Sequence, residues 1–270
     1  MTTAPAGPSK ARGAKRTVER TGDPGIGTLA ELAYLRLRRD ILGGILAPGA
    51  PLRPAELGRR YALGLSPLRE ALMRLGVEGL VTAEGQKGFK VAAASRAELR
   101  DLFIARRHME TLCLAEAIAH GDAAWEAAIV ASFHLLALTP LPRHGGETEA
   151  VDLWEVRHKA FHDSLVAACP SAWLRQFHRQ TFDLGERYRR LRMFRGPAAV
   201  PAPEAVAAEH RAIMDATLAR DAGTACRLMA DHVTRTEQAA EGLWANPPEA
   251  SGSEAPVRAL PARPRRATGA

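Results

Sequence analysis

Two histidines stand one helical turn apart in the stretch VRHKAFHDSL, His158 and His162. Residues four apart on a helix share a face, so the two neutral imidazoles would offer paired nitrogen donors to a divalent metal. The same spacing also arises where a helix simply carries two polar residues. Seven further histidines are spread along the chain. His210 and His232 fall near the middles of two later helical segments, where inward-facing side chains of different helices can converge. His108, His120, His134, His144 and His178 read as surface or helix-packing residues. An imidazole-rich site with an open position is also able to activate water, which would make the chain a metal-dependent hydrolase. No general base accompanies the pair at a recognisable spacing, since Asp163 lies about 100° round the helix from His162.

The elements that must position these residues follow from hydrophobic periodicity and punctuation. Thr28 and Glu31 have the form of a capping box. Leu29, Leu32, Ala33, Leu37 and Ile41 then recur at helical spacing up to Gly43-Gly44. After the turn LAPGAPL, Pro54 opens a short helix through Tyr61. Ser66 and Pro67 start another, with Ser66 as N-cap and Pro67 at the first helical position. The apolar pieces GLVTA and GFKVAA, separated by EGQKG, predict a β-hairpin. From Ser95 onward strand signals are nearly absent. Six helical segments follow, broken at Gly121-Asp122, TPLPRHGGE, Cys169-Pro170-Ser171, RGPAAVPAPE and Ala222-Gly223. They predict an antiparallel helical bundle. Trp125, Trp154, Trp173 and Tyr188 occupy helical apolar positions and are expected in its core.

Charge is spread unevenly over the 270 residues, whose formal net charge is +7. Residues 28–95 carry ten Lys/Arg against six Asp/Glu, whereas residues 96–245 carry 18 against 20. A basic first third beside a near-neutral body suggests that the first third meets a polyanion. The three cysteines, Cys113, Cys169 and Cys226, are widely spaced and form no CxxC, which argues against a disulfide framework and a thiolate zinc site. The first residues lack the apolar run of a secretory signal, and no apolar stretch is long enough to span a bilayer. A cytoplasmic location is expected, with no membrane partner. Residues 1–27, a basic tail, and 246–270 are rich in Gly, Pro and Ala and are expected to be disordered.

The order helix, helix, turn, helix, hairpin over residues 28–95 is that of a winged helix-turn-helix. Its recognition helix would place Ser66 and Arg69 at the major groove. Gln86 and Lys87 at the wing tip would meet the adjacent backbone or minor groove, and Arg53, Arg59 and Arg60 would add phosphate contacts. The stretch from LRRDILGGILAPGAPL to GLSPLREALMRLGVEGLVTAEGQKGFKV resembles the DNA-binding domain of GntR-family transcription regulators. The resemblance is carried by Ile41, Gly44, Pro48-Gly49, Leu52, Leu57, Pro67, Arg69-Glu70-Ala71-Leu72, Leu75, Glu78-Gly79-Leu80-Val81 and Gly88. One departure stands out. Where the family usually has Ser-Arg-Thr before the proline, this chain has Gly64-Leu65-Ser66, so Leu65 replaces a DNA-contacting arginine.

Residues 96–245 resemble the FCD ligand-binding domain of the FadR-type branch of that family, through Arg106 and Glu110 in ARRHME, FHDSL, and EHRAIMDATLARD followed by ADH. The detail of GLSPLREAL and the HxxFH pattern is similar to a sub-branch near the carbon-starvation-induced regulator. Many FCD domains hold a divalent metal through one Asp and three His. The resemblance puts His158, His162, His210 and His232 at those positions, with His158 replacing the aspartate. Four neutral imidazoles favour Zn²⁺ or Ni²⁺ and leave the metal's charge uncompensated, so an anion is expected to complete the site. The implied effector is a small organic acid, with a dicarboxylate or hydroxy-dicarboxylate as the specific expectation, and Arg106 is expected to bind it. The sequence thus predicts a mainly α protein. A winged helix-turn-helix would be followed by an all-α antiparallel helical bundle that binds the effector and dimerises. The homodimer, not an enzyme, would bind a palindromic double-stranded operator, most simply as a repressor. The competing readings are the metal-dependent hydrolase and an architectural DNA-binding protein without an effector.

Overall fold

The computed structural model describes residues 27–84, 88–142, 147–195 and 202–244. Gln86 and Lys87, His144 and both tails lie outside them. The chain opens with α1 (Leu29–Leu42), whose N-cap Thr28 accepts a hydrogen bond from the Glu31 amide at 3.1 Å. Then come β1 (Pro51–Leu52), α2 (Pro54–Tyr61), α3 (Leu65–Val77), β2 (Val81–Ala83) and β3 (Phe89–Val91). The strands form one antiparallel sheet in the order β1-β3-β2, with Pro51 opposite Lys90 and Val81 opposite Val91. Leu37, Ile41, Leu52, Leu57, Leu68, Leu72, Leu75 and Val91 close a core between the helices and this small sheet. Asp40 is buried beneath α2, where Tyr61 Oη donates to its Oδ2 at 2.7 Å.

Two local expectations need correcting. The recognition helix starts at Leu65, two residues earlier than expected, with Gly64 rather than Ser66 as N-cap and no side-chain capping bond. Pro67 therefore occupies the third helical position. It is tolerated there because the first helical amides have no intrahelical acceptor in any case. Strand β1 was not expected. Two residues are too few to show alternation, and Pro51 sits on an edge strand where its missing N–H costs nothing.

The second part is six helices among the described residues: α4 (Arg96–His120), α5 (Ala123–Ala137), α6 (Thr148–Leu165), α7 (Ala172–Arg195), α8 (Pro203–Leu218) and α9 (Ala222–Glu241). A short 3₁₀ turn, Gly242–Trp244, follows. Helix α4 packs on α7 and α9, α5 on α6 and α8, and α8 on α9. Ser95, Asp122 and Asp221 each accept a hydrogen bond from the amide three residues on, as N-caps of α4, α5 and α9. Trp125, Trp154 and Tyr188 are in the core as expected, but Trp173 is 67% exposed. It lies in the first turn of α7, where its ring stands 6.1 Å from that of Phe177.

Helix α7 joins the two parts. Arg38 of α1 donates to Glu186 Oε2 at 3.1 Å, Arg187 donates to the carbonyl of Ala92, and Leu184 packs on the core of the N-terminal part. Gly79, at φ +75°, lies where an added Cβ would touch Leu184 at 3.4 Å. The same helix sends Arg189 and Arg192 into the bundle, beside the histidines.

Candidate functional site

Helix α6 supplies His158 and His162, α8 supplies His210 and α9 supplies His232. One nitrogen from each ring lies within 4.8 Å of those of the other three. All four rings are buried. Each keeps one buried ring nitrogen with no hydrogen-bond partner among the described residues: Nδ1 of His158, and Nε2 of His162, His210 and His232. Buried polar atoms are normally satisfied, so four orphaned nitrogens facing one another fit a metal that takes their lone pairs.

The surroundings fix the rings for that task. Burial, opposed by Arg106 and His162, leaves the Glu110 carboxyl well below its usual range, so it is ionised. Glu110 must then accept the proton of His162 Nδ1, 2.8 Å away, which leaves Nε2 as the lone-pair donor. Glu209 stands in the same relation to His232 Nδ1, also at 2.8 Å. Burial keeps His158 and His210 neutral, assisted by the neighbouring imidazoles, and lowers His162 to about 3 against the pull of Glu110. His158 stacks on Trp154, with centroids 4.4 Å apart and planes at 14°. Its buried, unpartnered nitrogen among the described residues is Nδ1, the one nearer the backbone.

A cavity of about 380 Å³ adjoins the cluster, and His158 and His232 form part of its wall. Arg189 and Arg192 line it, with Trp154, Leu141 and Val206 giving apolar surface. Arg189 is held by a two-pronged contact with Glu155, at 3.2 Å from Nε and 2.9 Å from Nη2. Its Nη1, like Nη1 of Arg192, is buried and unpartnered. Burial and the neighbouring Arg189 lower the Arg192 pKa, with the Glu155 carboxylate opposing them.

Arg106, expected to hold the effector, does not line this cavity. It is wholly buried and its Nε contacts Glu110 Oε1 at 2.5 Å, because the two side chains are a turn apart on α4. Its place is behind the cluster, orienting the carboxylate that orients His162. Sequence reasoning missed Arg189, Arg192, Glu155 and Glu209. The signal for the arginines was the run RYRRLR inside a helix whose flanks are apolar, since a bundle helix has no room for so many solvated guanidinium groups. Of the two expectations for His178, surface or helix packing, its full burial fits the second, and neither of its ring nitrogens has a partner among the described residues.

In the N-terminal part, Arg53, Arg59, Ser66 and Arg69 are all exposed. Arg53 pairs with Glu56 at 3.0 Å and Arg60 with Asp40 at 3.4 Å. Ser66 and Arg69 lie in the first two turns of α3, at the end a recognition helix points into the groove.

A three-helix head with a β-hairpin wing, carried on a helical bundle, is the architecture of a DNA-binding transcription regulator. The chain belongs to the GntR family. Residues 29–91 match the family model described as "Bacterial regulatory proteins, gntR family", and residues 101–235 match the FCD domain. It is 42% identical over 200 residues to the HTH-type transcriptional repressor GlaR of Escherichia coli K12, covering 74% of this chain and 90% of that protein. It is 36% identical over 206 residues to the HTH-type regulator BphR of Paraburkholderia xenovorans LB400, covering 76% and 82%. Among solved structures, E. coli McbR/YncC has the same fold at 18% identity and a TM-score of 0.59, over 77% of this chain and 95% of that one. A GntR regulator from Rhodococcus sp. RHA1 does so at 20% identity and 0.60, over 79% and 97%. Among the described residues no helix is long and apolar enough to cross a membrane.

Proposed function

We propose that this regulator is a homodimeric cytoplasmic repressor whose bundle binds a divalent metal and a small carboxylate effector. The observation that carries the reading is the four orphaned imidazole nitrogens beside a cavity lined by two orphaned arginine N–H groups. His158, His162, His210 and His232 would hold the metal, and their donor set suits Zn²⁺ or Ni²⁺. The bound metal supplies a cationic centre. Arg189 and Arg192, rather than Arg106, would draw the effector's carboxylate, with the dicarboxylate expectation resting on the second arginine. Residues 28–95 would form the operator-binding unit and 96–245 the sensing and dimerising unit. Two copies would set two α3 helices in successive major grooves of a palindromic operator. Repression has the support of GlaR's name alone.

The hydrolase reading is weaker because Glu110 and Glu209 are each engaged by an imidazole and an arginine, leaving neither as a base. Protein purified without chelator should carry about one equivalent of metal per chain. Less than about a tenth of an equivalent, unchanged by added Zn²⁺ or Ni²⁺, would sink the metal reading. Sequencing the genomic fragments the protein retains would identify the operator, and titrating carboxylates against that complex would identify the effector. Loss of operator binding on addition of the effector is expected, and a gain would reverse the sign.

A further inference from the structure

A second cavity, of about 230 Å³, lies on the other side of α6, between the end of that helix and the first two turns of α7. Its wall carries Arg175, Arg179, His178 and Asp163, with Val166 and Ala167. None of these belongs to the metal centre or the larger cavity. His178 is fully buried, and neither of its ring nitrogens has a partner among the described residues. Asp163 pairs through Oδ2 with Lys159 at 3.5 Å, while its Oδ1 is buried and unpartnered. Arg175 donates to the carbonyl of Cys169, and Arg179 is exposed at the rim.

This wall has a definite chemistry. Two cations, Arg175 and Arg179, face one carboxylate, Asp163, whose Oδ2 is already paired with Lys159 outside the wall, so a small anion is favoured over a cation or a neutral molecule. A neutral imidazole offers one N–H and one lone pair, and burial keeps His178 in that form. Asp163 Oδ1 can only accept. The vacant lone pairs of His178 and Asp163 therefore require a donor on the ligand, which a bare carboxylate or an alkyl acid lacks. At roughly 30 Å³ for each water-sized group the space admits about seven non-hydrogen atoms. We propose that this cavity is a binding site for a small monocarboxylate carrying a hydroxyl or ammonium group on the neighbouring carbon. Its carboxylate meets Arg175 and Arg179, and its donor meets Asp163 and His178. The α-hydroxy acids and α-amino acids share this chemistry. The site needs no metal, so it stands or falls apart from the function proposed above.

The test is a titration of the full chain, stripped of metal by chelator, with ¹³C-labelled L-lactate, L-alanine and acetate, followed by NMR. Lactate or alanine is expected to bind saturably and at least tenfold more tightly than acetate, and the preferred member of the pair decides between hydroxyl and ammonium. Arg179→Ala removes one charge at the rim, and Ala167→Trp fills the opening. Both positions are exposed, and the helical circular dichroism of each variant checks its fold. Each substitution is expected to weaken binding at least tenfold. No saturable binding of lactate or alanine, acetate binding as tightly as they do, or either folded variant binding like the parent would overturn the proposal.

Discussion

Glu110 Oε2 lies 2.8 Å from His162 Nδ1 with both side chains wholly buried, and the other oxygen of Glu110 is taken by Arg106. The carboxylate thus sets the tautomer of one proposed ligand, and a buried guanidinium keeps the carboxylate ionised. Glu110→Gln can no longer demand the Nδ1 proton, so half of the His162 orientation is lost. Metal affinity, measured by competition with a coloured chelator, should fall about 10- to 100-fold. The same change leaves Arg106 buried without its counter-charge, which should lower unfolding stability by about 3–5 kcal/mol. Unchanged metal affinity in a variant that is destabilised would assign Glu110 a structural role only.

Glu186 ties the N-terminal head to α7 through Arg38, and it also accepts from Arg190 at 2.7 Å. Burial raises its pKa, but Arg38 and Arg190 outweigh it, so the folded value lies below the usual 4.5. A depressed folded pKa stabilises the protein fully above the unfolded value, and that stabilisation is lost as pH falls through the folded one. Glu186→Gln should therefore be less stable than the parent by a constant amount above about pH 5.5. The gap should shrink as pH drops below 4.5. Chemical denaturation at several pH values measures it. Because α7 also bears Arg189 and Arg192, Arg38→Ala should weaken the effector's influence on operator binding more than it weakens operator binding itself.

Arg192 is a buried cation whose Nη1 has no partner. A charge-assisted bond to a carboxylate is worth about 1.5–3 kcal/mol, so Arg192→Met should lower effector affinity at least tenfold. Replacing a buried charge whose desolvation outweighs its pairing by an apolar side chain of similar length is neutral or stabilising. The variant should therefore melt at the parent's temperature or above while losing its ligand. A loss of both together would mean that Arg192 holds the fold and not the effector.

Much of this was legible in the sequence. Thr28, Ser95, Asp122 and the glycines marked helix ends because capping and backbone freedom are local properties. The four histidines emerged from a family resemblance, and the helices that carry them do converge. What stayed hidden depends on contacts between segments far apart in the chain. Glu209 pairs with His232 across 23 residues, and Glu155 with Arg189 across 34. Arg106 drew attention by its motif, yet its neighbour Glu110 on the same helix face decided where it points. Trp173 failed because helical periodicity marks a face but not how far along its axis the helix remains covered.

On the operator side, Leu65 opens α3 and is 52% exposed, at the position where the family resemblance implies a DNA-contacting arginine. Leu65→Arg should add one phosphate or base contact. Affinity for DNA should rise, and the slope of log affinity against log salt should steepen by about 0.9 for a phosphate contact. Arg69→Ala, one helical turn on, should remove specific operator binding with the helical content unchanged. Fluorescence anisotropy on the retained fragment, at several salt concentrations, checks both. An unchanged salt slope in Leu65→Arg would mean that this end of α3 stands away from the backbone.

His158 stands at the position where the family resemblance implies an aspartate. Four neutral imidazoles leave a divalent ion with its full charge, whereas an aspartate at the first position would cancel half of it. His158→Asp should keep metal bound, since a carboxylate oxygen at that position has a reach similar to Nδ1 and a negative charge favours the cation. The cost falls on the anionic effector, which then meets a weaker field and a nearby carboxylate. Its affinity should drop at least tenfold, about 1.4 kcal/mol, while Zn²⁺ or Ni²⁺ affinity holds or rises. Isothermal titration of the metal-loaded variant with the effector measures the first, and chelator competition the second. If metal affinity collapses instead, His158 is an indispensable nitrogen donor whose ring, stacked on Trp154, cannot be replaced by a shorter side chain.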